Sequence, residues 1–161
     1  MRKQIDNYLG KFLAFLMLIM TLDVLYGVLT RYVFGAQASW TEELARFLLI
    51  WIGILGAAHV SGKQMHLAID LLKPKLSPKS AKLLDNFIKI IVILFALTVL
   101  IIGGVRLMYI TQTLGQLSPA LRVPMSFIYS VVPLSGILVI YYQVQEILTP
   151  GVEESENVSI D

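Results

Sequence analysis

The densest group of residues that could do chemistry lies just after Trp40, where two adjacent carboxylates precede an arginine. On a helix, Glu42 and Arg46 are four residues apart and Glu43 and Arg46 are three apart, and both spacings allow ion pairs. Three interpretations are open: a helix end with a local ion pair, a contact surface for another subunit, or a catalytic carboxylate pair. The catalytic interpretation lacks a nucleophile, a metal ligand or a pocket-forming glycine pattern beside it.

A second candidate is Asp23, which interrupts a long apolar stretch. A carboxylate inside a membrane span is a functional candidate by default, as a group that couples transport to protons or ions. Tyr26, Gly27 and Thr30 share its helical face, so the other interpretation is a buried structural hydrogen bond, either within the chain or to a partner.

The two histidines do not predict a metal site. His59 and His66 are seven residues apart, and Asp70 is the only obvious third ligand. A zinc site needs more ligands than two histidines, and the chain has no cysteine to supply thiolates. We therefore expect no metal, no cofactor and no enzymatic activity in this chain.

The composition places these residues in a membrane protein. Of the 161 residues, 57% are hydrophobic and 15% are charged, whereas a soluble domain averages about 45–50% and about 25%. These values exclude a water-soluble fold, a disordered chain and a nucleic-acid-binding domain.

Four apolar segments are long enough to approach the roughly 20 residues that span a bilayer, at 12–30, 44–61, 90–105 and 125–147. Ser39 and Glu42 have the spacing of a capping box, so the second helix should begin there. We predict an all-α integral membrane protein with one four-helix membrane domain over residues 1–150. The acidic tail at 151–161 should be disordered and cytoplasmic.

The loop between the second and third spans also has helical periodicity. Its apolar residues recur every three or four positions, and polar residues fall on the opposite face. This pattern predicts an amphipathic helix that lies in the membrane interface. The apolar positions are Met65, Ala68, Ile69, Leu72 and Leu76, and the polar ones are His66, Asp70 and Lys73.

Basic residues are distributed unequally between the two sides that four spans would define. Nine lie on the side of the termini and the middle loop, at positions 2, 3, 11, 63, 73, 75, 79, 82 and 89. The other side has four, Arg31, Arg46, Arg106 and Arg122. By the positive-inside rule, both termini should be cytoplasmic. We call these the lysine side and the arginine side.

Small and helix-bending residues mark packing positions in the spans. Gly53, Ala57 and Ser61 recur every four residues on the second span, and Gly56 widens their smooth face. Such a stripe allows close approach of another helix, from this chain or a different one. Pro133 predicts a kink in the fourth span, and Gly103-Gly104 is a place where the third could bend.

The block from Thr30 to Leu72 resembles the small membrane subunit of tripartite ATP-independent periplasmic (TRAP) transporters. The four-span layout and the length also fit. The residues that carry the resemblance are Arg31-Tyr32-Val33-Phe34, Trp40-Thr41-Glu42-Glu43, Arg46, Gly53, Gly56, Gly62-Lys63-Gln64, His66 and Asp70.

The resemblance implies a multi-pass protein of the bacterial inner membrane whose partners are a larger membrane subunit, a periplasmic substrate-binding protein and membrane lipids. The large subunit would hold the substrate and sodium sites and import an organic acid, such as a C4-dicarboxylate or a sialic acid. This chain would be a scaffold and would help dock the binding protein, with no substrate site of its own. Its interface candidates would be Arg31, Trp40, Glu42, Glu43, Arg46, Gly53, Gly56, Ala57, His66 and Asp70.

We further expect Glu42, Glu43 and Arg46 to hold the outer end of the second span, with Arg31 paired nearby. The alternative function is a stand-alone four-span exporter that uses Asp23 to couple transport to protons. Exporters of that kind carry little charge bias, so the unequal distribution of basic residues argues against it.

Overall fold

The computed structural model describes residues 2–36, 38–62 and 78–148, and these residues are almost entirely helical. Four helical segments are long and apolar enough to cross a membrane, as predicted: Gln4–Phe34, Ser39–Gly62, Leu83–Thr113 and Met125–Leu148. The predicted interfacial helix, with His66 and Asp70, lies outside the described residues, and so does the acidic tail.

The helices, in chain order, are α1 (Arg2–Phe34), α2 (Ser39–Gly62), α3 (Pro78–Phe95), a π-helix (Ala96–Gly103), α4 (Gly104–Thr113), α5 (Met125–Tyr129) and α6 (Val131–Leu148). The first two spans are α1 and α2. The third span comprises α3, the π-helix and α4, and the fourth comprises α5 and α6.

The four spans pack in a row. Within the described residues, α1 packs mainly on α2, α2 packs on α6, and α6 packs on α3 and the π-helix. The fourth span therefore lies between the second and the third. In each of the first three spans, only 17% of the most apolar 18-residue stretch is buried, whereas 39% is buried in the fourth. A row leaves more helix surface exposed than a closed bundle does.

The third and fourth spans cross closely because two glycines lie at the contact. A Cβ on Gly104 would be 2.8 Å from Pro133 Cδ, and one on Gly136 would be 2.9 Å from Leu100 Cβ. The predicted bend region at Gly103-Gly104 is the end of an eight-residue π-helix. The π-helix and these two glycines together define the crossing point.

The regular helix of the fourth span is interrupted near Pro133, where the sequence predicted a kink. Its two helices meet at Ser130, three residues before Pro133. Because proline has no N–H, Pro133 cannot donate to the Tyr129 carbonyl four residues earlier. The neighbouring Ile128 carbonyl accepts a hydrogen bond from Trp51 Nε1 on α2 at 3.1 Å. The indole thus links the second span to the break.

Candidate functional site

The helix ends on the arginine side are joined by Glu43, on the first turns of α2. The backbone N–H groups of Ala120 and Leu121 donate to Glu43 Oε2 at 3.0 and 2.7 Å. Glu43 is only 8% exposed. A buried carboxylate that accepts two backbone hydrogen bonds stabilises the loop that presents them.

That loop connects α4 to α5 and has a compact conformation. Ser118 N–H donates to the Val123 carbonyl at 2.9 Å, and Arg122 N–H donates to the Ser118 carbonyl at 3.1 Å. An isolated antiparallel bridge joins Leu117 to Pro124. Arg122 has a φ of 56°, which is unusual for a residue other than glycine. The loop therefore holds the exposed Arg122 at its tip.

The ion pairs predicted around Arg46 are absent from the described part of the chain. Glu43 faces the α4–α5 loop instead, since its carboxylate accepts those two backbone hydrogen bonds. Arg31, Glu42 and Arg46 are exposed, and no ion pair within the described residues involves them. The local ion pairs considered for Arg46 and Arg31 are therefore not formed among the described residues, and a partner for either arginine stays a prediction.

The second helix begins at Ser39, as its sequence predicted. The Ser39–Glu42 capping interaction does not occur in the described residues. Thr41 Oγ1 instead donates to the Ala38 carbonyl at 2.7 Å. Trp40 packs against Tyr26 of α1 with ring centroids 5.5 Å apart. This aromatic contact joins the first two spans near the membrane boundary.

One side of α2 is left largely uncovered in the described structure, and we call it the open face of α2. A Cβ added at Gly53 or Gly56 would have no heavy atom within 4 Å. The buried residues of α2, such as Phe47 and Ala58, lie on the opposite side. The open face consists of Glu42, Arg46, Leu49, Gly53, Gly56 and Ala57.

Asp23 lies inside α1 and is 6% exposed. Neither carboxylate oxygen has a hydrogen-bond partner among the described residues. Thr30, which shares its face, donates to the Gly27 carbonyl at 2.9 Å instead. The structural hydrogen bond considered from the sequence is therefore not formed within the described chain.

A buried polar cluster on the lysine side was missed by the sequence analysis. Lys89 Nζ lies 2.7 Å from Asp85 Oδ2 on α3 and 3.4 Å from Glu146 Oε1 on α6. One turn before Glu146, Gln143 Nε2 donates to Ser61 Oγ at 3.0 Å. The cluster joins α2, α3 and α6. A glutamine and a glutamate three residues apart on one apolar helix were the signal that could have found it.

Among residues 2–36, 38–62 and 78–148, no group of three or more histidine, aspartate or glutamate side chains could hold a metal ion. His59 lies three residues before the end of α2. The polar groups that the structure brings together on both sides of the membrane therefore link helices to one another and to the α4–α5 loop.

Four apolar spans with a lysine side and an arginine side define a multi-pass membrane protein. Residues 20–150 match the family model described as the DctQ component of tripartite ATP-independent periplasmic transporters. The chain belongs to this family, so it is a small permease subunit of a TRAP transporter in the bacterial inner membrane. This family is a component of a transporter.

Similar proteins support this assignment, and they are either about as long as this chain or much longer. A Haemophilus influenzae protein assigned as a TRAP transporter small permease protein is 29% identical over 86% of this chain and 87% of its own length. The isethionate TRAP transporter permease protein DctMQ of Oleidesulfovibrio alaskensis is 30% identical over 73% of this chain but only 19% of its own length.

The sialic acid TRAP transporter permease protein SiaT of Haemophilus influenzae is 35% identical over 40% of this chain and 11% of its own length. In DctMQ and SiaT the matching region is a minor part of a much longer permease chain. These matches support pairing of the small subunit with a large membrane subunit.

Proposed function

We propose that this chain braces a large TRAP membrane subunit and has no transport pathway of its own. The observation that carries the proposal is the row of four spans. Three of their polar groups, Glu43, Lys89 and Gln143, connect helices to each other or to the α4–α5 loop, while much of the apolar surface of the first three spans is left exposed. Exposed apolar helix surface of this extent can be covered by lipid or by another membrane protein.

The open face of α2 is the surface that we assign to the large subunit. Gly53, Gly56 and Ala57 leave room for a neighbouring helix to approach closely, and nothing in the described chain fills that room. Glu42 and Arg46 lie on the first two turns of the same face and would pair with polar groups of the partner. Trp40 and Arg31 flank these residues, and His66 and Asp70 remain proposed contacts for the same partner.

We further propose that the arginine side is periplasmic and contributes to docking of the binding protein. The unequal distribution of basic residues supports this orientation, because the lysine side has nine of the thirteen. Arg31, Arg46 and Arg122 are exposed there, and Glu43 holds the loop that carries Arg122. Such a surface favours an acidic partner.

The transported substrate is proposed to be an organic acid anion, moved by the large subunit with sodium as the coupling ion. The small subunit would take part without binding either. Two relatives are named for sialic acid and for isethionate, which supports an organic anion as the substrate class.

The test is uptake into liposomes that contain both membrane subunits, with the binding protein and its ligand outside. We expect uptake only when all three components and an inward sodium gradient are present. Liposomes with this chain alone should take up nothing. Transport by this chain alone, or full uptake by the large subunit without it, would contradict the proposal.

A proton-coupled exporter remains the second candidate function, because Asp23 is buried with no hydrogen-bond partner in the described chain. In that function Asp23 would carry the proton. Proton-driven export of a drug from liposomes that contain only this chain would support it.

A further inference from the structure

A shallow surface cavity of about 410 Å³, widely open to the outside, lies between the first turns of α1 and the end of α2. Two polar atoms near it, Asp6 Oδ1 and His59 Nδ1, are buried and have no hydrogen-bond partner among the described residues. Buried polar groups without partners are costly, so a ligand or water that reached these two side chains would lower that cost. The residues that line the cavity are Asp6, Asn7, Gly10, Lys11, Ala14 and His59.

The cavity lies at the depth of the lipid headgroups on the lysine side. The uninterrupted apolar part of α1 begins directly after Lys11, and His59 is three residues before the end of α2. Both helices therefore pass from hydrocarbon to the polar interface at this level. A ligand bound at this depth would contact both the lipid headgroups and the protein.

The lining groups carry both signs of charge. Lys11 and Asn7 can donate hydrogen bonds to a phosphate, and the His59 imidazole can donate one as well. Asp6 offers a carboxylate, which accepts hydrogen bonds from an ammonium group. A ligand with one phosphate and one primary ammonium would match both halves of this set.

The surface below the cavity is apolar. Ala14 lines the cavity one turn deeper than Gly10, and Leu18 and Leu22 continue along the same side of α1 with 57% and 58% exposure. This apolar surface fits an acyl chain, whereas a soluble anion would gain nothing from contact with it.

We propose that this cavity binds the headgroup of a phospholipid with a primary ammonium, the phosphatidylethanolamine class. Lys11, Asn7 and His59 hold the phosphate, and Asp6 holds the ammonium. Gly10 lies beside His59, and a Cβ there would be in ordinary van der Waals contact with His59 Nε2, at 3.9 Å. A larger side chain at position 10 would occupy the space of the headgroup.

The test is native mass spectrometry of the membrane complex after incubation with equal amounts of phosphatidylethanolamine, phosphatidylcholine and phosphatidylglycerol. The quaternary ammonium of phosphatidylcholine cannot donate a hydrogen bond to Asp6. We expect the native complex to retain phosphatidylethanolamine roughly tenfold over phosphatidylcholine, and Asp6→Asn to remove that preference. Lys11→Gln and Gly10→Leu should lower retention of both lipids.

The matched control is Gln4→Ala, an exposed position on the same helix that does not line the cavity. It should retain lipid as the native complex does. Equal retention of phosphatidylethanolamine and phosphatidylcholine, an unchanged preference in Asp6→Asn, or displacement of the lipid by millimolar inorganic phosphate would overturn the proposal. Lipid retention is independent of uptake, so this result and the functional assay can fail separately.

Discussion

Two sets of glycines in this chain have opposite surroundings. Gly104 and Gly136 lie where the third and fourth spans cross, and a Cβ on either would come within 3 Å of a neighbouring side chain. Gly53 and Gly56 lie on the open face of α2, where a Cβ would meet nothing within 4 Å. The first pair explains how this chain packs on itself.

The second pair packs against no other helix of the described chain, although its sequence pattern is equally typical of helix packing. Neighbouring residues repeat the contrast. Glu43 is buried and hydrogen-bonded to the α4–α5 loop, whereas Glu42 points away and is exposed. The contacts between the four spans should therefore determine the stability of the chain. The open face of α2 should determine its assembly with the large subunit.

The largest expected effect is at the buried polar cluster. Lys89→Ala would leave the buried Glu146 carboxylate without its cation and should lower the free energy of unfolding by about 3–5 kcal/mol. Replacing both residues together, as Lys89→Met with Glu146→Leu, should recover much of that loss. The free energy of unfolding of each variant is measured on the purified chain in mixed micelles. Arg46→Ala, on the open face, should change this stability by less than about 0.5 kcal/mol, and a larger loss would remove the contrast.

The next effect compares two adjacent glutamates. Glu43→Ala deprives the Ala120 and Leu121 N–H groups of their acceptor and should cost about 1.5–3 kcal/mol. Glu42→Ala should be close to neutral in the isolated chain. Proteolysis of the α4–α5 loop offers a second measurement, because the loop should be cut faster only in the Glu43 variant. Equal cutting in both variants would show that Glu43 does not hold the loop.

Adjacent glycines give a matched pair on the third span. Gly104→Ala would place a Cβ 2.8 Å from Pro133 and should destabilise the chain by about 1–3 kcal/mol. Gly103→Ala would meet only a backbone oxygen at 3.8 Å, so its thermal midpoint should not fall. The same holds for Gly53→Ala on the open face. A Gly104 variant as stable as the Gly103 variant would mean that the crossing is looser than described.

The smallest effect should come from Asp23. Asp23→Asn removes the charge and keeps the shape, so assembly and uptake by the complete transporter should stay within about twofold of the native values. The proton-coupled exporter predicts loss of all activity for the same change. Uptake measured with both subunits present distinguishes the two functions.

The sequence predicted the four spans because each is a long apolar stretch with few charges. It also predicted the start of α2 at Ser39. It could not identify the partner of Glu43, because the donors at Ala120 and Leu121 are 77 and 78 residues away while Arg46 is within one turn. Local spacing favoured the wrong partner. The order of the row was also hidden, since the contacts between the second and fourth spans, such as Trp51 with Ile128, join residues 77 positions apart.

Burial of Lys89 was likewise not predictable from its own helix. Asp85 lies four residues earlier, which is the spacing of an exposed ion pair on a helix. The contact that accompanies burial is with Glu146 on α6, which is distant in the sequence. The polar pattern of α6 was informative, but a single helix does not indicate which neighbour its polar residues contact.

The most direct test of the central claim uses the absence of cysteine in this chain. Ala57→Cys introduces one thiol on the open face of α2, and Leu18→Cys introduces one on the exposed side of α1. We predict that binding of the large subunit slows maleimide labelling at position 57 at least tenfold and leaves position 18 unchanged. Equal labelling of Ala57→Cys with and without the large subunit would contradict the assignment of this face to the partner.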